Sequence, residues 1–175
     1  ALMQIRSVKK INYKYCYETK IFNKKQIIFD FNKFHNFYLS KLAGLKFTKE
    51  QIICIKKAIL KELLKEKNLF FMYRDFQPRN IMIKDDTLYY IDYQSGRKGP
   101  LQYDVASFLY SGSIDIDEIE RKELLNYYIK EISNQVKINK EEFKKSFYYF
   151  ALIRLLQVLG SYGYIYKKNR VKNIF

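Results

Sequence analysis

Asp75, Asn80 and Asp92 are the side chains of this 175-residue sequence whose types and spacing could do chemistry together. The first two lie five residues apart in Tyr73-Arg74-Asp75-Phe76-Gln77-Pro78-Arg79-Asn80, and Asp92 follows twelve residues after Asn80 at the end of an apolar run. A carboxamide and a carboxylate form an oxygen-only pair that suits a hard cation such as Mg²⁺, which keeps waters and takes further ligands from substrate phosphates. A second carboxylate on the same loop can accept a proton from an incoming hydroxyl. Together they have the layout of a phosphoryl-transfer site.

Short strands must position these groups. Residues 69–73, 81–83 and 88–91 are apolar runs, and Lys84-Asp85-Asp86-Thr87 supplies turn chemistry between the last two. Pairing 81–84 antiparallel with 88–91 puts Asn80 at the start of one strand beside Asp92 at the end of the other. Both side chains then face one mouth of the hairpin.

The order D-x-x-x-x-N, then a metal-binding Asp, is that of kinases. With Ile91-Asp92-Tyr93-Gln94 and Gly99-Pro100-Leu101-Gln102-Tyr103-Asp104-Val105-Ala106, the sequence resembles the aminoglycoside phosphotransferase and choline kinase-like family. Within it, the strings most resemble sugar kinases of the N-acetylmuramate/N-acetylglucosamine anomeric type. The resemblance spans roughly residues 20–160 and is sharpest over 73–110. It implies an α+β, mainly helical fold, the C-terminal lobe of a protein kinase-like fold with a small catalytic β-hairpin at 69–92. It also implies transfer of the γ-phosphate of ATP or GTP to a hydroxyl of a sugar, amino sugar or aminoglycoside. Asp75 would be the catalytic base, with Mg²⁺ held by Asn80 and Asp92.

Tyr73 stands where that family often has His, and with Arg74 it would support the loop. Asp104 resembles the family's buried Asp that hydrogen-bonds the catalytic loop from the following helix; by residue type alone it reads as an N-terminal helix cap. Arg79, Gln94 and Arg97 are candidates for phosphate or substrate contact. On their own, Arg79 reads equally as a surface ion pair, and Arg97-Lys98 as an exposed basic turn.

The sequence contains no G-x-G-x-x-G and no V-A-I-K-like strand, and it begins at Ala1. The resemblance places Ala1 just beyond the hinge between two lobes. The expectation is therefore a post-hinge connecting segment over 1–30 and a helical lobe over 31–175, with the nucleotide-binding lobe absent. Positioning and charge stabilisation supply most of phosphoryl-transfer catalysis, so these residues alone are expected to be inactive. The alternative is a non-catalytic kinase-like binding module.

Composition frames these readings. With 48% apolar residues the chain can bury a core and is expected to fold as one compact unit. Cys16 and Cys54 are far apart with no partner at metal-ligand spacing, which reads as reduced thiols in a cytoplasmic protein. The longest apolar stretch, 147–159, contains Arg154 and reads as a buried helix, so no membrane partner is expected. The net charge of +15 raises nucleic-acid binding. The Lys and Arg residues are spread along the chain, interleave with Glu over 118–131 and come with no nucleic-acid motif, so they read as solvated helix surface. The partners expected are a nucleotide and a small hydroxyl substrate, with no nucleic acid; nothing indicates oligomeric state.

Outside the hairpin the reading is helical. Residues 1–29 show no sustained period, and 13–29 read as an irregular loop with short strands. Phe31, Phe34, Tyr38 and Leu42 recur at helical spacing before Gly44, and His35 beside them reads as a packed or surface residue. Thr48 with Gln51 forms a capping box for a helix to about residue 67. A short helix follows Asp104, another starts at Asp115 or Asp117, and Asn139 with Glu142 caps a long last helix ending at Gly160. Residues 167–172 read as a basic tail.

Overall fold

A computed structural model describes residues 1–17, 19–67 and 69–169. The elements run α1 (Leu2–Arg6), a 3-10 turn (Tyr13–Tyr15), α2 (Lys24–Lys33), a π-helical continuation (Phe34–Leu42), α3 (Lys49–Leu63) and β1 (Phe70–Met72). A second 3-10 turn (Pro78–Asn80), β2 (Ile81–Lys84), β3 (Thr87–Tyr90), β4 (Arg97–Gly99), α4 (Leu101–Leu109), α5 (Glu118–Ser133) and α6 (Lys140–Asn169) complete it. The class is α+β and mainly helical. The chain divides into two compact units, interleaved in sequence: 1–22 with 66–151, and 23–65 with 152–175.

The first unit carries both sheets. β2 and β3 pair antiparallel from Ile81↔Tyr90 to Lys84↔Thr87, leaving Asp85 and Asp86 as a two-residue loop. Both loop residues have positive φ, 49° and 54°, which suits the right-handed twist of a hairpin and which Asp tolerates better than most residues. β1 pairs antiparallel with β4, a strand the sequence did not reveal, and Ile21 adds a parallel bridge to Lys98. The unit's core gathers Phe22, Met72, Tyr103, Ala106, Ile132 and Phe150, each at most 2% exposed.

Three further expectations are corrected. Residues 13–29 are not a loop throughout: α2 begins at Lys24, where the Asn23 side chain accepts from the Gln26 amide, and α1 occupies 2–6 further upstream. The helical period there was hidden because polar residues sit on the buried face; Gln26 Nε2 donates to Asp30 Oδ1 at 3.1 Å, both side chains interior. The helix around Asp104 starts three residues early, at Leu101 with Pro100 as its cap position, so Asp104 lies in the first turn and is not the cap. Arg97-Lys98 is strand and not turn.

In the second unit, Thr48 and Gln51 close the expected capping box on α3, which ends at Leu63 rather than near 67. Ile27, Phe31, Ile59 and Leu63 are buried. The last helix does not stop at Gly160. A Cβ on Gly160 would lie 2.7 Å from the Phe34 amide nitrogen, and one on Gly163 would lie 2.6 Å from the Phe37 carbonyl carbon. These glycines let α6 lie against the backbone of the π-helical segment, and the helix runs through them to Asn169. Lys167 and Lys168 are therefore helical, while Arg170 and Lys172 lie outside the described residues.

The contact is unforgiving of one methyl group. Gly163→Ala is expected to cost about 1–3 kcal/mol through overpacking, read as a lower melting temperature by circular dichroism. An unchanged melting temperature would show that the helix is not held that closely.

Candidate active site

β1 delivers the chain into the loop, and Asp104 receives it there. The Asp104 carboxylate, 3% exposed, accepts from the backbone N–H of Tyr73 at 2.8 Å and of Arg74 at 2.9 Å. It also accepts from Gln4 Nε2 at 2.9 Å. Arg74 has a φ of 74°. Such a conformation costs on the order of 1–3 kcal/mol in a non-glycine residue and persists only where its surroundings hold it. Charge-assisted hydrogen bonds to two consecutive amides, of Tyr73 and of Arg74 itself, supply that hold. Gln4 is fixed in turn by the Tyr128 hydroxyl, which also donates to the Leu101 carbonyl at 3.0 Å. Burial, reinforced by the charge of Asp104, raises the Tyr128 pKa well above the ordinary phenol value and keeps it a donor.

The far end of the loop closes on its start. Pro78 opens a 3-10 turn, with its fixed φ suited to a first helical position, and Asn80 ends it, 7% exposed. Asn80 Nδ2 donates to the Asp75 carbonyl at 2.8 Å. That bond fixes the amide plane and leaves Oδ1 as the atom able to face a cation. The Asn80 carbonyl accepts from Ile91 N–H at 3.0 Å, one step beyond the Ile81↔Tyr90 pair. The ladder thus sets Ile91 opposite Asn80, and Asp92 is the next residue, past the end of the strand. Asp92 itself is exposed, with a φ of 67°.

Tyr73 joins the two halves. Its hydroxyl donates to the Ile91 carbonyl, and its ring meets Phe76 at 5.7 Å and Tyr93 at 6.5 Å between centroids. Only 1% of the residue is exposed. Desolvation first, then the charges of Asp92, Asp104 and Asp75, push its pKa up to about 12, so the phenol remains protonated and holds its bond.

The structure therefore connects Tyr73, Arg74, Asp75, Asn80 and Asp104, and places Asp92 at the edge of that network. Asp75 is half-buried, while Arg79 and Gln94 are exposed. Arg97 is fully buried on β4, donating from Nε to the Ser95 carbonyl at 3.0 Å and from Nη1 to Thr19 Oγ1 at 2.6 Å. The expectation of an exposed basic turn is thus overturned, because β4 carries Arg97 inward against β1. Beside the loop lies an apolar cavity of about 190 Å³ whose walls include Phe76, Phe108, Leu124 and Tyr127. Among the described residues no three His, Cys, Asp or Glu cluster to hold a metal. Any cation here would take most of its ligands from elsewhere.

Sequence reasoning missed Gln4 and Tyr128. No local signal could have found them, since Gln4 lies 100 residues from the carboxylate it serves.

Two outcomes follow from the network. Asp104→Asn keeps the shape but turns a donor toward donors already buried, and is expected to destabilise by at least about 2 kcal/mol in urea unfolding. For Tyr73, the folded pKa lies above the ordinary value of 10.0, at about 12. Its contribution is whole below the lower value and lost as pH rises through the window between them. Wild type is expected to lose more stability than Tyr73→Phe over that window, and parallel losses in both proteins would remove Tyr73 from the account.

Comparison with the curated proteins gives no match. The sequence does match a protein family, described as "Phosphotransferase enzyme family", over residues 29–137, well over half of the chain and inclusive of the loop, the hairpin and Asp104. The chain belongs to the phosphotransferase enzyme family.

Proposed function

We propose that the chain forms the acceptor- and metal-side lobe of a kinase-like small-molecule phosphotransferase. Its acceptor would be a hydroxyl of a sugar, amino sugar or aminoglycoside, as in anomeric sugar kinases, and its donor ATP or GTP. The observation that carries this reading is the bond from Asn80 Nδ2 to the Asp75 carbonyl, together with the ladder step that joins Asn80 to Ile91, the residue before Asp92. A proton-accepting carboxylate and two oxygen ligands share one loop and hairpin.

Asp75 is the catalytic base. Its carboxylate takes the proton of the acceptor hydroxyl as that oxygen bonds to the γ-phosphorus; the bond from the γ-phosphorus to the bridging oxygen breaks, and nucleoside diphosphate leaves. Asn80 and Asp92 would hold Mg²⁺, which when bound neutralises charge on the nucleotide phosphates. The donor set fits that ion: one amide oxygen and one carboxylate, with room for waters and phosphate oxygens. Tyr73, Arg74 and Asp104 act as supports that hold the loop's backbone. Arg79 and Gln94 are exposed and would meet phosphate or substrate, whereas Arg97 is buried and serves the interior. The apolar cavity beside Phe76 suits a ring or methylene face of the acceptor. Residues 1–30 would be the connecting segment and 31–175 the lobe.

The test, made with a nucleotide-binding lobe joined to the chain, is nucleoside diphosphate release with Mg²⁺ and ATP or GTP over a panel of amino sugars and aminoglycosides. Asp75→Asn is expected to lower kcat by about 10²–10⁴-fold, and Asp92→Ala to raise the Mg²⁺ concentration required. Release undiminished in Asp75→Asn would overturn the assigned base, and no release with any acceptor would favour a binding module.

A further inference from the structure

The sequence spreads its positive charge evenly to the eye, but the fold does not. The unit formed by 23–65 and 152–175 holds 15 of the 33 Lys and Arg but only 3 of the 18 Asp and Glu, namely Asp30, Glu50 and Glu62. That unit carries +12 of the chain's +15. A general preference for Lys cannot produce this contrast, because the other unit balances 18 basic residues with 15 acidic ones. Acidic residues are what the second unit lacks.

Part of that charge converges on a groove. Lys24 from the start of α2, and Lys57, Lys61 and Lys65 from α3 and the residues just after it, line an open space of about 370 Å³ floored by Leu60 and Leu64. All four lysines are exposed. Lys65 pairs with Glu62 at 2.6 Å. Among the described residues Lys24, Lys57 and Lys61 make no ion pair.

Two local rules are broken in building it. Lys24 and Lys25 occupy the first turn of α2, which contains no acidic residue, although the positive end of a helix disfavours cations. Lys57 and Lys61 stand one turn apart on one face of α3, a like-charge spacing that weakens a helix. Unfavourable local choices that recur at one place mark a site where an external partner supplies the compensation. An anion in the groove would reverse both penalties.

We propose that this groove binds the phosphodiester backbone of a nucleic-acid strand, without reading its sequence. Charge complementarity argues for a polyanion. Lys24 comes from α2 and Lys57, Lys61 and Lys65 from α3 and the residues after it, so a flexible chain of phosphates laid across this open surface can follow all four. Lysine suits the task, as a flexible point charge that meets phosphates without bidentate geometry. The site is separate from the loop and hairpin and does not depend on the phosphotransferase reading.

The test is anisotropy of a fluorescent oligouridylate titrated with the whole chain across a salt series. Binding should weaken with salt, and each phosphate contact contributes about 0.7 to the log–log slope on a single strand. Lys24→Gln, Lys57→Gln and Lys61→Gln together are expected to reduce the slope by about 2. The control removes the same charge from exposed lysines of the other unit, Lys9→Gln, Lys10→Gln and Lys137→Gln, and should leave the slope unchanged. Circular dichroism of each variant separates loss of contact from loss of fold. Three results would overturn the proposal: an equal fall in the control, no oligonucleotide binding at low salt, or binding to phosphatidylserine vesicles but not to the oligonucleotide.

Discussion

One buried carboxylate holds the candidate site in shape. Asp104 grips the consecutive backbone amides of Tyr73 and Arg74, and immediately after them the chain makes a left-handed turn at Arg74 that few side chains would choose. Without that grip the residue after β1 would relax toward ordinary backbone, and Asp75, the next residue, would point elsewhere. A charge buried so deeply would be a liability if its oxygens lacked donors. Three N–H groups meet it, and the third belongs to a side chain that is itself anchored by Tyr128. The stability of the first unit and the geometry of the loop are therefore one problem with one solution.

The hairpin then carries that geometry outward. Asn80 ties its side chain to the Asp75 carbonyl and its own carbonyl to the Ile91 amide, so a loop residue doubles as the first rung of a ladder. Tyr73 spans the same gap from beneath, through its hydroxyl to the Ile91 carbonyl. Rigid elements thus flank every group assigned to chemistry, while Asp92 remains exposed at the open end, where a charged partner could reach it.

Much of this was legible because it is local. Alternation, turn residues and a five-residue spacing reveal a hairpin and a loop, a capping box reveals Thr48 as a helix start, and Asp115 and Asp117 announce another that the structure puts at Asp117. What stayed hidden is nonlocal or disguised. Gln4, Gln26 and Asp30 are polar residues on buried faces, so they erase the apolar period that would have announced α1 and α2. Gly160 carries the signal of a helix end but serves a close approach of two backbones. β4 is only three residues of Arg-Lys-Gly, with no apolar signature, and exists because β1 offers it a partner. The charge distribution was hidden for a related reason: the two units interleave in sequence, so the concentration of charge in one of them shows only once the chain is divided as it folds.

The interleaving of the two units also sets an order of events. Gln4 is synthesised well before the carboxylate it must find, which lies 100 residues further on, with the whole of 23–65 between them. The entropy of closing so long a loop grows only slowly with its length, but contacts this distant in sequence slow the search. During synthesis the helices of 23–65 emerge early, while α1 waits without its partner. The loop of the candidate site can take its left-handed turn only once α4 has emerged, so its assembly is deferred by the path of the chain itself.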